Sequence, residues 1–155
     1  MPAWLIKSEP SVYAFSQLVG HGKTVWDGVR NFEARNNMRK MKKGDLILYY
    51  HSNEDKAVVG VARVSKEAYS DPTAEPEEDW SAIEIQPVMP LTEPVTLATM
   101  RITPELQAMV VVKKSRLSVT PVTDSELAAV LALGKTNLEA RSEGRAAARP
   151  RGSRR

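Results

Sequence analysis

Short apolar blocks alternate with polar turns along the chain, and this spacing predicts strands rather than long helices. Residues 46–51 are apolar on both alternating faces, which is typical of a strand covered on both sides. Residues 57–64 have the same character around Gly60, which indicates a β-bulge or a close approach by another group. Five or six strands are therefore predicted, at residues 3–7, 24–26, 46–51, 57–64, 80–89 and 117–122.

Cap residues and glycines predict four short helices between these strands. Ser11 and Asn31 are favourable N-caps, and Thr123 with Glu126 forms a capping box. The helices are expected at residues 11–20, 31–43, 103–109 and 123–133. Because strands and helices do not alternate regularly, the pattern predicts an α+β fold, a mixed β-barrel of five to six strands with short surrounding helices.

The C-terminal part of the sequence changes character. Pro87, Pro90 and Pro94 are expected to break the chain repeatedly, from the end of the fifth predicted strand onward. Apolar periodicity ends at Leu138, and Arg, Ala, Gly and Ser dominate beyond it. We therefore expect one domain over residues 1–138 and a disordered Arg-rich tail over residues 139–155.

Charge is distributed unevenly over the 155 residues, whose formal net charge is +3. Residues 139–155 carry a net charge of +4, residues 54–138 carry −5, and residues 1–53 carry +4. The first 53 residues also hold seven of the nine aromatic residues. Basic residues interleaved with aromatic ones favour a nucleic-acid groove, although aromatic residues also cluster wherever a core begins.

Several function classes lose support from what the sequence lacks. There is no cysteine, so disulfides and thiolate chemistry are excluded, and His21 and His51 are too few for a multi-histidine metal site. No phosphate loop, HExxH or GxSxG motif is present, so no enzyme, cofactor or metal is predicted. No apolar run has the ~20 residues of a membrane span, and we expect a soluble, cytoplasmic monomer.

Polar side chains cluster at the ends of two predicted strands and in the turn between them. The turn adds an aromatic face, a cation and a helix N-terminus, so together the three segments predict one pocket that stacks a flat ring and hydrogen-bonds its edge. Each residue also has a structural interpretation, such as a surface ion pair of Lys7 with Glu9 or a core position for Trp26 or His51. The predicted pocket residues are Lys7, Ser8, Glu9, Trp26, Arg30, Asn31, Tyr50, His51 and Ser52.

The helix predicted from Asn31 carries a second candidate feature, a cationic ridge on one face. Its basic residues recur at helical spacing, and we expect them to hold phosphates, although a charged stripe is also typical of a solvated helix face. The predicted phosphate-binding residues are Arg35, Arg39, Lys40, Lys42 and Lys43.

Long motifs in this order closely resemble the EVE domain family. They are WLIKSEP, TVWDGVRNFEARNNMRKMKKGD, LYYHSN, VVGVARVSKEAYSDPTA and RLSVTPVTDSEL, and they cover about residues 1–136. The resemblance implies a PUA-like β-barrel related to YTH domains, which hold a methylated adenine in an aromatic cage. It also implies the reading of modified bases in nucleic acid, notably modified cytosines in DNA, with RNA as a further possibility.

The sequence thus predicts a nucleic-acid-binding reader of a modified base, with no catalytic activity. One alternative is a small hydrolase acting on a modified nucleoside or amide, similar to the PUA-like ASCH group. It would use Lys7 as an activated amine and Glu9 as the acid–base partner. A second alternative is a protein-interaction module that binds through the acidic loop 71–79.

Overall fold

The apolar blocks of the sequence form one six-stranded mixed sheet in the computed structural model, which describes residues 3–53, 55–114 and 116–138. The strands are β1 (Ala3–Ser8), β2 (Thr24–Trp26), β3 (Leu46–His51), β4 (Ala57–Ser70), β5 (Ser81–Thr96) and β6 (Val119–Val122). Their order across the sheet is β2-β5-β4-β3-β1-β6. The expected strands are confirmed, and β4 and β5 extend well beyond their predicted ends.

Strand β1 pairs in parallel with β3, whereas the other neighbouring strands run antiparallel. Because parallel strands end at the same edge of a sheet, Ser8 at the end of β1 lies opposite His51 at the end of β3. The two polar strand ends that the sequence singled out are therefore neighbours.

Two hydrophobic clusters cover the two faces of the sheet. Successive residues of β1 point to opposite faces, so Trp4 and Ile6 join one cluster and Leu5 joins the other. In β3, Tyr49 belongs to the first cluster and Tyr50 to the second. By this alternation, residues at the ends of these strands alternate between the two faces.

Six short α-helices in the described part of the chain surround the sheet: α1 (Pro10–Tyr13), α2 (Phe15–His21), α3 (Phe32–Lys40), α4 (Leu97–Ile102), α5 (Val110–Lys113) and α6 (Asp124–Leu133). The cap of α3 is confirmed, since the Asn31 side chain accepts a hydrogen bond from the Ala34 N–H. The capping box of Thr123 and Glu126 is also present.

Two helix predictions were wrong. The helix expected from Ser11 begins instead at Pro10, where proline is well suited to the first position, and it is interrupted at Ala14. The helix expected over residues 103–109 is reduced to a one-turn 3-10 helix at Pro104–Leu106, and α4 before it was not predicted.

The prolines of β5 do not break the strand, which also corrects the prediction. β2 covers only Thr24–Trp26 and pairs with residues 83–85 of β5. Beyond those residues the outer side of β5 has no strand partner within the described ranges, and an unpaired strand edge tolerates proline. Pro87 and Pro90 therefore stay within the β4–β5 pairing.

Gly60 confirms the prediction of a bulge with a close approach. The β3–β4 register shifts between Tyr49 and Tyr50, and the β4–β5 register shifts between Val58 and Gly60. A Cβ atom at Gly60 would lie 2.5 Å from the ring of Phe15. This glycine thus lets an aromatic ring pack directly on the β4 backbone.

The described strands pair from β2 to β6 without a ladder that closes the sheet, so a closed barrel stays a prediction. Residues 139–155, expected to form the Arg-rich tail, lie outside the described ranges. Among the helices that are described, none is both long and apolar enough to cross a lipid bilayer.

Candidate functional site

A small cavity of about 260 Å³ opens where β1 ends next to β2. We call it the aromatic pocket, because the rings of Tyr13 and Trp26 belong to residues that line it. Ser8, Thr24 and Asp27 add polar groups to it. The full lining is Ser8, Val12, Tyr13, Thr24, Val25, Trp26 and Asp27.

Trp26 is only partly buried, as expected for the wall of an open pocket. The Tyr13 ring meets it edge-on, with ring centroids 6.3 Å apart and an interplanar angle of 72°. Tyr49 meets it from the core in a similar geometry, at 5.7 Å and 82°. Such edge-to-face contacts fix the indole plane while one part of it stays accessible.

The buried Tyr49 ties this aromatic group together. Its hydroxyl donates a 2.7 Å hydrogen bond to the Tyr13 carbonyl oxygen, and its ring contacts Phe15. Burial raises the pKa of the Tyr49 hydroxyl, so the group remains a protonated donor. The Tyr13 hydroxyl in turn lies 2.7 Å from Nδ1 of His21. Both ends of Tyr13 are thus held in place.

A tight turn after Trp26 presents Asp27 at the pocket. The turn requires Gly28, whose φ of 78° lies in the left-handed region that glycine adopts without strain. The Gly28 N–H donates to Oδ2 of Asp71 at 2.8 Å. Asp71 therefore anchors the backbone beside Asp27 to the loop after β4.

Asp71 is buried and accepts further hydrogen bonds from Arg30 and Thr73. Nη1 of Arg30 lies 3.0 Å from its Oδ2, and the N–H and hydroxyl of Thr73 donate to its Oδ1 at 2.7 and 2.6 Å. Burial alone would raise the pKa of this carboxyl, but the bonds from Thr73, Gly28 and Arg30 lower it to about 2. Arg30 therefore holds the loop and does not line the aromatic pocket.

A larger cavity of about 570 Å³ lies on the other side of the strand ends. We call it the basic cavity, because Lys7, Lys56 and Arg101 line it and Asp55 is the one carboxylate among the described residues that line it. The described residues that line it are Lys7, Tyr50, Ser52, Asn53, Asp55, Lys56, Thr96, Leu97, Ala98 and Arg101. Nζ of Lys7 lies 5.5 Å from the centroid of the Tyr50 ring, and burial lowers the pKa of this lysine.

The structure divides the predicted pocket residues instead of bringing all nine together. Ser8 and Trp26 line the aromatic pocket, whereas Lys7, Tyr50 and Ser52 line the basic cavity. The physical reason is strand alternation, which sends neighbouring residues of β1 and β3 to opposite faces. Base binding by the separated residues stays a prediction.

Four predicted residues line neither cavity: Glu9, Arg30, Asn31 and His51. His51 is buried, and its Nε2 accepts a 3.1 Å hydrogen bond from the Phe15 N–H. Its Nδ1 must then carry the proton that it donates to Oδ2 of Asp55 at 2.8 Å. Glu9 is exposed at the N-cap of α1, and Asn31 caps α3.

The predicted phosphate ridge is partly occupied by the protein's own groups. Arg39 binds Asp79 through Nη2 and donates from Nε to the Ser81 hydroxyl at 2.8 Å. Arg35 donates to the Asp79 carbonyl at 3.0 Å and lies over the Phe32 ring. Lys40, Lys42 and Lys43 are exposed. Phosphate binding by this ridge stays a prediction.

Sequence reasoning missed Tyr13, Thr24 and Asp27 in one cavity and Lys56 and Arg101 in the other. Asp27 had a detectable signal, since it follows Trp26 directly in a turn. Arg101 had none, because it reaches the cavity through the unpredicted helix α4. Among the described residues, no group of three or more His, Cys, Asp or Glu side chains is placed to hold a metal ion.

An open aromatic pocket and a basic cavity, at one end of a mixed sheet, define the class as a small α/β domain with two candidate binding cavities at its strand ends. The EVE domain family model matches residues 2–133 of the chain. The chain therefore belongs to the EVE domain family.

Three known proteins show how similar the relatives are. Human thymocyte nuclear protein 1 is 32% identical, over 84% of this chain and 72% of the relative. A crystal structure of a protein from Agrobacterium tumefaciens is 40% identical with a TM-score of 0.85, over 88% of this chain and 94% of that one. The crystal structure of human THYN1 protein in complex with 5-methylcytosine-containing DNA has 30% identity and a TM-score of 0.80, over 88% and 99% of the chains.

Proposed function

We propose that this protein binds nucleic acid and reads a modified base, with a modified cytosine in DNA as the favoured target. The observation that carries the proposal is the aromatic pocket, in which the partly exposed Trp26 is fixed by two edge-on tyrosines. Support also comes from the human THYN1 relative, whose solved complex contains 5-methylcytosine DNA.

The pocket lining suits a methylated cytosine in particular. A base extruded from its strand, or carried by a single strand, stacks on the exposed part of Trp26. The Asp27 carboxylate accepts from the exocyclic amino group of cytosine, which is the pairing that acidic side chains make with this base. The methyl group at C5 contacts the apolar side chains of Val12 and Val25, which also line the pocket.

Pocket size agrees with a single ring. A volume of about 260 Å³ is slightly below the ~300–1,000 Å³ of pockets that hold drug-sized ligands. The pocket therefore holds one base, and the sugar and phosphates must lie outside it.

The test is a fluorescence anisotropy titration with matched oligonucleotides that contain cytosine or 5-methylcytosine at one central position. Single-stranded, mismatched and fully paired DNA are compared with RNA of the same sequence. We expect the methylated single-stranded and mismatched DNA to bind at least about ten-fold more tightly than unmethylated DNA, which corresponds to ~1.4 kcal/mol. Equal affinities for cytosine and 5-methylcytosine would overturn the choice of this base.

We do not favour the hydrolase alternative, because no contact of the described residues supports it. Lys7 lines the basic cavity beside Tyr50, whereas Glu9 is exposed at the start of α1 and lines neither cavity. We therefore propose that incubation with nucleosides or oligonucleotides gives no product. The α3 ridge as a phosphate contact, the monomeric state and a cytoplasmic location are likewise proposals that follow from the sequence.

A further inference from the structure

The basic cavity and the aromatic pocket lie back to back across one strand end. Ser8 lines the aromatic pocket, and Lys7, the residue before it, lines the basic cavity. The Ser52 N–H donates to the Ser8 carbonyl at 2.9 Å, so the loop after β3 joins the two sites. The two sites are therefore adjacent at the end of β1.

The charges of the basic cavity are arranged for an anion. Lys7, Lys56 and Arg101 converge on it, and its one described carboxylate, Asp55, is hydrogen-bonded to His51. Within the described ranges, no carboxylate lies at ion-pair distance from Lys56 or Arg101. The charge of Arg101 is close enough to Tyr50 to oppose the rise in the pKa of its hydroxyl that burial causes.

Neutral hydrogen-bonding groups complete the cavity. Ser52, Asn53 and Thr96 line it together with the three cations. Asn53 and Lys56 have φ values of 68° and 46°, a backbone region that costs a non-glycine residue energy unless the surroundings impose it. Both residues line the cavity, so its surroundings hold Lys56 at the wall in this conformation.

We propose that the basic cavity binds a backbone phosphate of the same strand whose modified base occupies the aromatic pocket. The proposal rests on the proposed function and adds the second contact of that site. Arg101 provides a planar fork for two phosphate oxygens, and Lys7 and Lys56 provide point charges. Phosphate contacts supply affinity and register without reading sequence, while the base pocket supplies selectivity.

The experiment compares two double variants that remove the same amount of charge. Lys56→Gln with Arg101→Gln removes two cations of the basic cavity. Arg63→Gln with Lys66→Gln is the control, since both residues are exposed on β4 and lie seven and ten residues beyond Lys56. Each protein is titrated with free 5-methyl-2′-deoxycytidine and with a single-stranded DNA that contains one 5-methylcytosine, over a range of salt concentrations.

We expect the cavity variant to bind the oligonucleotide about ten-fold more weakly than wild type at low salt. Its salt slope should be smaller by about 0.7 for each phosphate that the variant can no longer bind. Its affinity for the free nucleoside, which carries no phosphate, should equal that of wild type. The control variant should keep the wild-type slope and affinity within about two-fold, because its charges lie away from the strand.

A second probe locates the bound phosphate on the strand. Single methylphosphonate linkages, which are uncharged, replace the phosphates next to the 5-methylcytosine one at a time. At one position the substitution should weaken wild type but leave the cavity variant unchanged, because both changes remove the same interaction. If every position gives additive reductions in affinity, the proposal is overturned.

The two proposals fail in different ways. If wild type prefers the methylated oligonucleotide but the cavity variant behaves like the control, the aromatic pocket stands and the phosphate site is overturned. If wild type shows no preference for 5-methylcytosine, the proposed base is overturned. The phosphate site is then supported by a reduced salt slope of the cavity variant on unmethylated DNA, and overturned by an unchanged one.

Discussion

The aromatic pocket and the basic cavity meet at the end of one strand, where Ser8 lines the first and Lys7 the second, yet they differ in almost every property. The aromatic pocket is small, is walled by rings and contains one carboxylate, Asp27. The basic cavity has about twice the volume and contains three cations. One is therefore suited to discriminate between flat rings, and the other to attract an anion of any sequence.

Under the two proposals, this difference assigns selectivity to the aromatic pocket and affinity to the basic cavity. Edge-on contacts fix the Trp26 ring, so the stacking energy of a bound base depends on the shape of that base. The cations of the basic cavity act over a longer range and are screened by salt. Each region is thus expected to respond to a different experiment, which makes the comparison testable.

The largest effect is expected at Trp26. Stacking on an aromatic side chain contributes ~1–3 kcal/mol per base, so Trp26→Ala should weaken binding of a methylated oligonucleotide roughly ten- to a hundred-fold. Binding of the free nucleoside should fall by the same factor, which distinguishes this variant from the basic-cavity variant. Isothermal titration calorimetry measures the affinity for both ligands.

The control is Trp80→Ala, because Trp80 is also partly exposed but lies outside the pocket. Normal binding by a folded Trp26→Ala protein would show that the pocket is not the reader.

The next largest effect concerns the packing beneath the pocket. Gly60→Ala would bring a Cβ within 2.5 Å of the Phe15 ring, which contacts Tyr49 under the pocket. Overpacking of this kind typically destabilises by about 1–3 kcal/mol. The control is Gly20→Ala, which meets no atom within 4 Å inside α2 and should stabilise by ~0.5–1 kcal/mol. Urea denaturation measures both variants. Equal stabilities would mean that the Phe15 ring moves freely away from β4.

Asp71 tests whether the turn beside the pocket depends on a buried charge. The pKa of its carboxyl falls from 3.8 to about 2 on folding, a difference that contributes about 2 kcal/mol of stability at neutral pH. Because the folded-state pKa is the lower one, this contribution is present above about pH 4 and is lost as the pH falls toward 2. Asp71→Asn should therefore be less stable at pH 7 and should show a weaker acid transition in thermal denaturation.

The control for Asp71→Asn is Asp27→Asn, in the turn that Asp71 anchors through the Gly28 N–H. Asp27 is exposed, so we expect nearly unchanged stability, but a weaker preference for 5-methylcytosine because the carboxylate contact to the base is changed. If Asp27→Asn alters only stability and Asp71→Asn only binding, the roles assigned to the two carboxylates are reversed.

The smallest effect is expected on the α3 face. Asp79 is exposed and binds both Arg35 and Arg39, which also lowers the pKa of its carboxyl. Asp79→Asn removes the negative charge that opposes the two arginines, so affinity for unmethylated DNA should rise by about two- to three-fold with a steeper salt slope. Glu77→Gln in the same loop is the matched control. Identical slopes for the two variants would remove the α3 ridge from the phosphate path.

Local signals in the sequence were sufficient for most elements of the fold. Asn31 caps α3 and the Thr123–Glu126 box caps α6, because caps depend on residues only three positions apart. Gly60 marked a close approach, because a strand interior seldom places glycine without a packing reason. The prediction that the prolines of β5 break the strand was wrong, because β2 is too short to pair with β5 at those positions and an unpaired edge accommodates proline.

The sequence by itself determined most of the fold's elements and singled out Trp26, Ser8 and Lys7, each of which lines one of the two cavities. Only the tertiary structure decided which of them share a cavity. Strand alternation sends Lys7 and Ser8 to opposite faces of the sheet. The unpredicted helix α4 brings Arg101 to the basic cavity beside Lys7, although the two residues are 94 positions apart in the sequence. Local patterns encode side-chain chemistry and backbone preference, whereas the meeting of distant residues depends on sheet pairing and packing over the whole chain.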